Sequence, residues 1–214
     1  MAMKLYNYFR SSASYRVRIA LALKGLDYDY IPVHLQRNEQ FAESYAALSP
    51  ARLVPLLEDG DNLVSQSLAI IEYLEETHPA PALLPSDALG RARVRALAQT
   101  IACEIHPLNN LRVLQYLERE LKVDDDTKAT WYRHWITLGF TALESMLANS
   151  PDTGTFCHGN TPGLADCCLV PQLANSRRFA TPLEAFPTIR RIEEACLALP
   201  AFQRAAPALQ PDAE

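Results

Sequence analysis

The chain has 214 residues, is 49% hydrophobic and 21% charged, and carries a formal net charge of -5, the make-up of a globular protein of one or two domains with a sizeable core. The first 85 residues hold 7 basic and 10 acidic side chains and the remainder 13 and 15, so neither half has the basic excess of a duplex nucleic-acid binder. No apolar run approaches the ~18 residues of a membrane helix and no charged-then-apolar leader opens the chain, so the expectation is a cytoplasmic protein without nucleic-acid or membrane partners.

Leu5 to Phe9 reads as a first strand. Two serines come next, then a helix from about Ser14 to Lys24, stopped by Gly25, which is free to take the left-handed C-cap conformation. A strand, a Ser-Ser pair and a helix N-terminus make a place for an anionic sulfur or carboxylate. First-turn N–H groups and the positive end of the helix dipole face it, and the hydroxyls donate to it. The bland alternative is a pair of N-capping serines that only satisfy backbone N–H groups. Tyr28 to Val33 is a second strand, parallel to the first across a right-handed crossover. Asn38 to Ala47 is a weak helix. Leu56 to Val64 is a hairpin turning at Asp59-Gly60-Asp61. Ser67 to Thr77 is a further helix, with Ser67 as a natural N-cap. The order βαβ, α, ββα is that of a thioredoxin-like domain.

Pro79, Pro81 and Pro85 then form a linker that neither helix nor central strand tolerates. It divides residues 1–83 from an all-helical domain, residues 88–214, so the fold class is α/β plus all-α. Val94, Leu97, Ala98, Ile101, Ala102 and Ile105 recur at helical spacing, and Pro107 puts a kink into the helical stretch around it. Trp131, Trp135, Leu138, Ala142 and Met146 mark another helix, and 164–178 and 187–199 two more. The five cysteines are odd in number and lack a C-x-x-C, which predicts reduced thiols. Cys157, His158, Cys167 and Cys168 match no zinc spacing, and no metal is expected. Phosphate-loop, H-E-x-x-H and G-x-S-x-G motifs are absent from the sequence.

SSASYRVRIALALKG (Ser11 to Gly25) resembles the signature of the zeta-class glutathione transferases, with Ala13 where many relatives have cysteine. Val54-Pro55, Gln66-Ser67 and the helix after it, Ile105-His106-Pro107-Leu108-Asn109-Asn110, Leu164-Ala165-Asp166 and Arg178-Phe179 come in family order, so the resemblance spans nearly the whole chain. It implies the glutathione transferase fold, a homodimer, and glutathione as cofactor. It also implies glutathione-dependent isomerisation of maleylacetoacetate to fumarylacetoacetate in aromatic amino-acid catabolism. By that resemblance Ser11 and Ser12 are the catalytic, thiolate-binding serines. Gln40, Val54, Gln66, Ser67, His106, Asn110 and Arg112 hold glutathione, the Val54-Pro55 bond is cis, and Arg10 and Arg178 grip substrate carboxylates. A planar guanidinium suits that grip. The family's glycine pair before Gln40 is replaced by Asn38-Glu39. Asp166 is read as structural, an N-capping carboxylate for the Gly163 N–H. His106 has a bland reading as a structural histidine beside the kink.

Ala13 does not remove the main activation. A free thiol has a pKa of about 8.5, and lowering it by about two units takes roughly 2.7 kcal/mol. A hydroxyl bond to a charged group supplies about 1.5–3 kcal/mol, and a helix N-terminus about 0.3–1 kcal/mol more. Three other readings stay open: isomerisation of maleylpyruvate, conjugation or dehalogenation of small α-halo acids, and a non-catalytic binding module.

Overall fold

The computed structural model describes residues 2–214. The chain forms two compact units: residues up to Leu83 together with Leu197–Glu214, and Leu84–Cys196.

In the first unit β1 (Met3–Asn7), α1 (Ser12–Lys24) and β2 (Tyr28–Pro32) form a parallel crossover, with Met3 opposite Tyr28 and Asn7 opposite Pro32. β3 (Leu56–Asp59) runs antiparallel to β1 and pairs with β4 (Asn62–Ser65), giving the sheet order β2-β1-β3-β4. This is the thioredoxin-like sheet. β1 ends two residues earlier than its apolar run suggests, because the Ser11 N–H bonds back to the Tyr8 carbonyl at 3.0 Å and turns Tyr8-Phe9 out of the sheet. α1 begins two residues earlier than expected, since Ser11 is its N-cap and its Oγ accepts from the Ser14 N–H. Gly25 ends it at φ +65, the left-handed cap expected.

The helix expected over Asn38 to Ala47 is broken. Two 3-10 turns, Leu35–Arg37 and Glu39–Phe41, meet at Asn38 with φ +62, and the next α-helix, α2, covers only Glu43–Leu48. Asn tolerates the left-handed region, so one residue of the lost glycine pair keeps a glycine-like backbone. α3 (Ser67–Thr77) comes after the hairpin. The buried Lys24 ammonium donates to Glu75 at 2.7 Å and to the carbonyls of His78 and Pro81, while the Glu75 carboxylate also accepts from the Leu83 N–H. One ion pair thus ties α1, α3 and the proline-rich segment together, and its carboxylate is satisfied by a backbone donor as a buried charge requires.

The second unit is helical: α4 (Ala88–Gln99), α5 (Leu111–Arg119), α6 (Asp125–Ala148), α7 (Leu164–Arg178) and α8 (Pro187–Leu197). The helical spacing through Ile105 is not one helix. α4 stops at Gln99, Thr100–Ile105 is a π-helical turn, and Pro107–Asn109 is a 3-10 turn. Gly139 of α6 admits the Ile105 side chain, for a Cβ there would lie 2.3 Å from Ile105. Tyr132, Ile136, Phe140 and Leu143 of α6 and most of α7 are buried. Asp166, buried in the first turn of α7, accepts from the N–H groups of Gly163 at 2.8 Å and Cys157 at 2.9 Å. Burial pushes its carboxyl above the usual range. Glu144 caps α8 with both oxygens, at the N–H groups of Thr188 and Ile189.

The C-terminal segment returns to the first unit with α9 (Pro200–Arg204), which packs on α1, and a 3-10 turn, Pro207–Leu209. The Tyr15 hydroxyl donates to the Phe202 carbonyl. Among the described residues no helix is long and apolar enough to cross a membrane, and no group of three or more His, Cys, Asp or Glu side chains could hold a metal ion. The five cysteines are free thiols.

Candidate active site

The site in the first unit is built on the loop from Tyr8 to Ser11. Phe9 is 4% exposed and packs with Tyr8, Val33, Tyr45, Val54 and Leu56. The next side chain, Arg10, is exposed, and its guanidinium lies 4.9 Å from the centroid of the Phe9 ring. Ser11, half-buried, caps α1, Ser12 is buried in the first turn, and Ala13 is half-buried beside it. Because the Ser11 oxygen already accepts from the Ser14 N–H at 3.2 Å, its one proton is left to donate outward.

Val54 is brought to this loop by the shared core. The carbonyl of Leu53, just before it, accepts from the hydroxyls of Tyr45 at 2.6 Å and Ser49 at 3.3 Å. The Val54-Pro55 bond is cis, as the resemblance implied; Ala80-Pro81 is also cis, which the sequence did not signal. Ser67 is not the N-cap of α3. That position belongs to exposed Gln66, at φ +71, whose side chain makes no capping bond. Ser67 instead lies inside the first turn, and its oxygen accepts from Nη1 of the buried Arg16 at 3.2 Å. As at Ser11, one acceptor position is used and the proton remains to be given. Gln40 is 6% exposed, and its Oε1 has no hydrogen-bond partner among the described residues.

In the helical unit, His106 comes directly after the π-turn and is half-buried. Asn110 caps α5, its Oδ1 accepting from the Arg112 N–H at 2.9 Å, and Arg112 is exposed. Arg178 ends α7. Its guanidinium lies 5.1 Å from the Phe179 ring centroid. Tyr132 stacks on Phe179, 3.5 Å between centroids and 13° between planes. Burial pushes the Tyr132 hydroxyl up to about 12, against the pull of Arg178. Arg177, one residue earlier, is paired with Glu193. Among the described residues Arg10, Arg112 and Arg178 have no carboxylate partner.

Sequence reasoning missed Arg16, Arg18, Tyr45 and Asp212, whose hydrogen bonds reach Ser67, Leu53 and both backbone groups of Phe9. For Arg16 and Arg18 there was a signal: two arginines inside an otherwise apolar helix, both about 2% exposed or less, must be buried with partners.

The family model for the glutathione S-transferase N-terminal domain matches residues 1–76. The maleylpyruvate isomerase of a Ralstonia species is 51% identical over 98% of this chain and 99% of that protein. The maleylacetoacetate isomerase of Pseudomonas aeruginosa is 51% identical over 98% of each. The holo structure of a maleylpyruvate isomerase described as a bacterial zeta-class transferase superposes with a TM-score of 0.97 at 51% identity, covering 99% of this chain and all of that one. The chain belongs to the zeta-class glutathione transferases. The maleylacetoacetate isomerase from Methylobacterium extorquens was solved with malonate and glutathione bound. It superposes with a TM-score of 0.96 at 40% identity over 99% of each chain.

The residues of this zeta-class chain fit glutathione. Two serine hydroxyls each accept one hydrogen bond and have their protons available. The first turn of α3 has no side-chain cap, so its N–H groups are open to an anion. The buried Gln40 oxygen requires a donor, and the tripeptide's amide and amine groups are donors.

Proposed function

We propose that the protein is a glutathione-dependent cis–trans isomerase acting on maleylacetoacetate to give fumarylacetoacetate, the reaction of aromatic amino-acid catabolism. The observation that carries this reading is the pair of proton-donating hydroxyls at two helix starts, Ser11 and Ser67. Bound glutathione supplies a thiolate, the nucleophile whose reversible addition lets a cis double bond rotate.

Ser11 donates its proton to the sulfur, and the N-terminal end of α1 adds its dipole. Ser12 sits in the same turn as the alternative donor. Ser67, with Gln66 and the open first turn of α3, receives the γ-glutamyl carboxylate. Val54 presents backbone to the tripeptide, and Gln40 takes one of its N–H groups. His106, Asn110 and Arg112 complete the glutathione contacts. Arg10 and Arg178 bind the two substrate carboxylates. Their lack of internal carboxylate partners supports this, since an exposed arginine without one is available to an external anion. The Phe179 ring beside it presets the Arg178 side chain, which reduces the rotamer entropy lost on binding.

A second reading, maleylpyruvate isomerase, has specific support: the Ralstonia enzyme of that name and the Pseudomonas maleylacetoacetate isomerase are equally identical to this chain. Steady-state kcat/KM on the two diacids, with and without glutathione, tests both. Turnover of neither would return the chain to the halo-acid or binding-module readings. We also propose a cytoplasmic homodimer. The free thiols support a reducing compartment, and exposed apolar side chains such as Leu89, Tyr116 and Leu138 support a partner. Light scattering at 23.9 kDa would contradict the dimer.

A further inference from the structure

The C-terminal segment reaches the loop that carries Ser11. Asp212 Oδ2 accepts from the backbone N–H of Phe9 at 3.1 Å, and its Oδ1 accepts from the Tyr30 hydroxyl of β2. The carbonyl of the same Phe9 accepts from Nη2 of Arg18 at 3.0 Å. Arg18 is 1% exposed. Its Nε donates to the Ala205 carbonyl, just past α9, at 3.0 Å, and its Nη1 to Asn7 Oδ1 at 3.0 Å and the Tyr8 carbonyl at 3.4 Å. Both backbone groups of Phe9 are therefore held by charged side chains, one in the tail and the other anchored to the tail's start.

The residues after Phe9 are Arg10 and Ser11, and the Ser11 N–H bonds to the Tyr8 carbonyl. Between Tyr8 and Ser11 the chain is neither strand nor helix. Its direction, and hence the aim of the Ser11 hydroxyl, depends on what grips Phe9. A charged acceptor on a backbone N–H is among the stronger hydrogen bonds available, and a hydroxyl a fraction of an ångström out of place forfeits much of its effect on a reacting atom.

We propose that Asp212 is a positioning residue for the reaction: through the Phe9 N–H it fixes the Tyr8–Ser11 loop, so that the Ser11 hydroxyl is aimed at the glutathione sulfur. The proposal rests on the assignment of Ser11 as thiolate donor. It makes the C-terminal tail part of the catalytic apparatus.

The test compares Asp212→Ala, Asp212→Asn, Ser11→Ala and the Asp212→Ala/Ser11→Ala double variant. The readouts are kcat, glutathione Kd, thermal unfolding and the pKa of bound glutathione from thiolate absorbance against pH. Asp212→Ala is expected to raise the thiol pKa by about one unit and lower kcat roughly tenfold, with glutathione Kd within about threefold. Asp212→Asn, whose amide oxygen still accepts from the Phe9 N–H, is expected to recover most of kcat. In the Ser11→Ala background, Asp212→Ala should shift the thiol pKa no further, the non-additivity of two residues acting as a unit. A wild-type thiol pKa and kcat in Asp212→Ala, whatever its melting temperature, would overturn the proposal, as would full additivity with Ser11→Ala. If Asp212→Ala does not fold, Tyr30→Phe removes the other tie on the carboxylate. It should move kcat and thiol pKa in the same direction by less, and wild-type values there would overturn the proposal too. An unchanged thiol pKa in Ser11→Ala alone would overturn the Ser11 assignment itself, so the two failures are distinguishable.

Discussion

The guanidinium of Arg16 donates to the hydroxyl of Ser67 across 3.2 Å, joining α1 to the first turn of α3 inside the first unit. The bond fills an acceptor position on the serine oxygen and leaves its proton free for a ligand. It also carries part of a buried positive charge to the place where a carboxylate of glutathione is proposed to sit.

Ser67→Ala should therefore weaken glutathione binding and leave the chemical step almost untouched. Removing a hydrogen bond to a charged group costs about 1.5–3 kcal/mol. Glutathione Kd and KM are expected to rise at least tenfold, with kcat at saturating glutathione within about twofold. Calorimetry together with steady-state kinetics checks this. Equal losses in kcat and kcat/KM would mean that Ser67 acts in the transition state instead.

Arg178→Ala should raise KM for the diacid while glutathione affinity stays near wild type. The loss of about 1.5–3 kcal/mol corresponds to roughly ten- to hundredfold in kcat/KM. An unchanged kcat/KM in Arg178→Ala would make it an ordinary surface arginine.

Asp166→Asn should destabilise the fold without a direct effect on chemistry. An amide presents only one acceptor oxygen to the N–H groups of Gly163 and Cys157, and a buried donor left unpaired costs about 1–3 kcal/mol. Burial raises the Asp166 carboxyl in the folded state. The native state therefore holds its proton more tightly than the unfolded chain, and the slope of stability against pH from this group is negative. Its contribution is full below the unfolded carboxylate value and declines as pH rises through the raised folded one. Denaturant unfolding of wild type and variant across that range should show the difference narrowing upward; a constant difference would contradict it.

Ala13→Cys should change isomerase turnover by less than about tenfold, or 1.4 kcal/mol of barrier, because the serine and the helix start already supply the activation. A half-buried cysteine in the first turn of α1 should acquire a lowered pKa, so iodoacetamide should inactivate the variant and spare the wild type. A hundredfold gain in turnover would mean that isomerisation is not the main work of this chain.

Much of the first unit was legible because its signals are local. The apolar run, Ser11-Ser12 and Gly25 define a strand, a helix start and a helix stop within twenty-five residues. The departures came where distant residues decide. Val94 to Ile105 fits an α-helical stripe, yet the last turn is π-helical, and Ile101 and Ile105 are four apart, so the pattern alone does not expose the change. What accommodates it is Gly139, more than thirty residues away, whose missing Cβ leaves room for Ile105. Ser67 has the composition of an N-cap, but Gln66 takes the positive φ and Arg16 claims the serine oxygen. The grip of Asp212 on Phe9 joins positions at opposite ends of the chain, and the proline-rich residues leading to Asp212 have no periodicity from which to read it. The arginines left without carboxylates were legible only by resemblance, since spacing does not reveal which surface charges are paired.

Ser11 is proposed above all to lower the pKa of the glutathione thiol. Thiolate absorbance of bound glutathione against pH, in wild type and Ser11→Ala, measures it directly. A rise of one to two units in the variant is predicted, roughly 1.4–2.7 kcal/mol, with turnover of the diacid falling far more than glutathione affinity. An unchanged thiol pKa together with wild-type turnover would contradict the claim and move the role to Ser12.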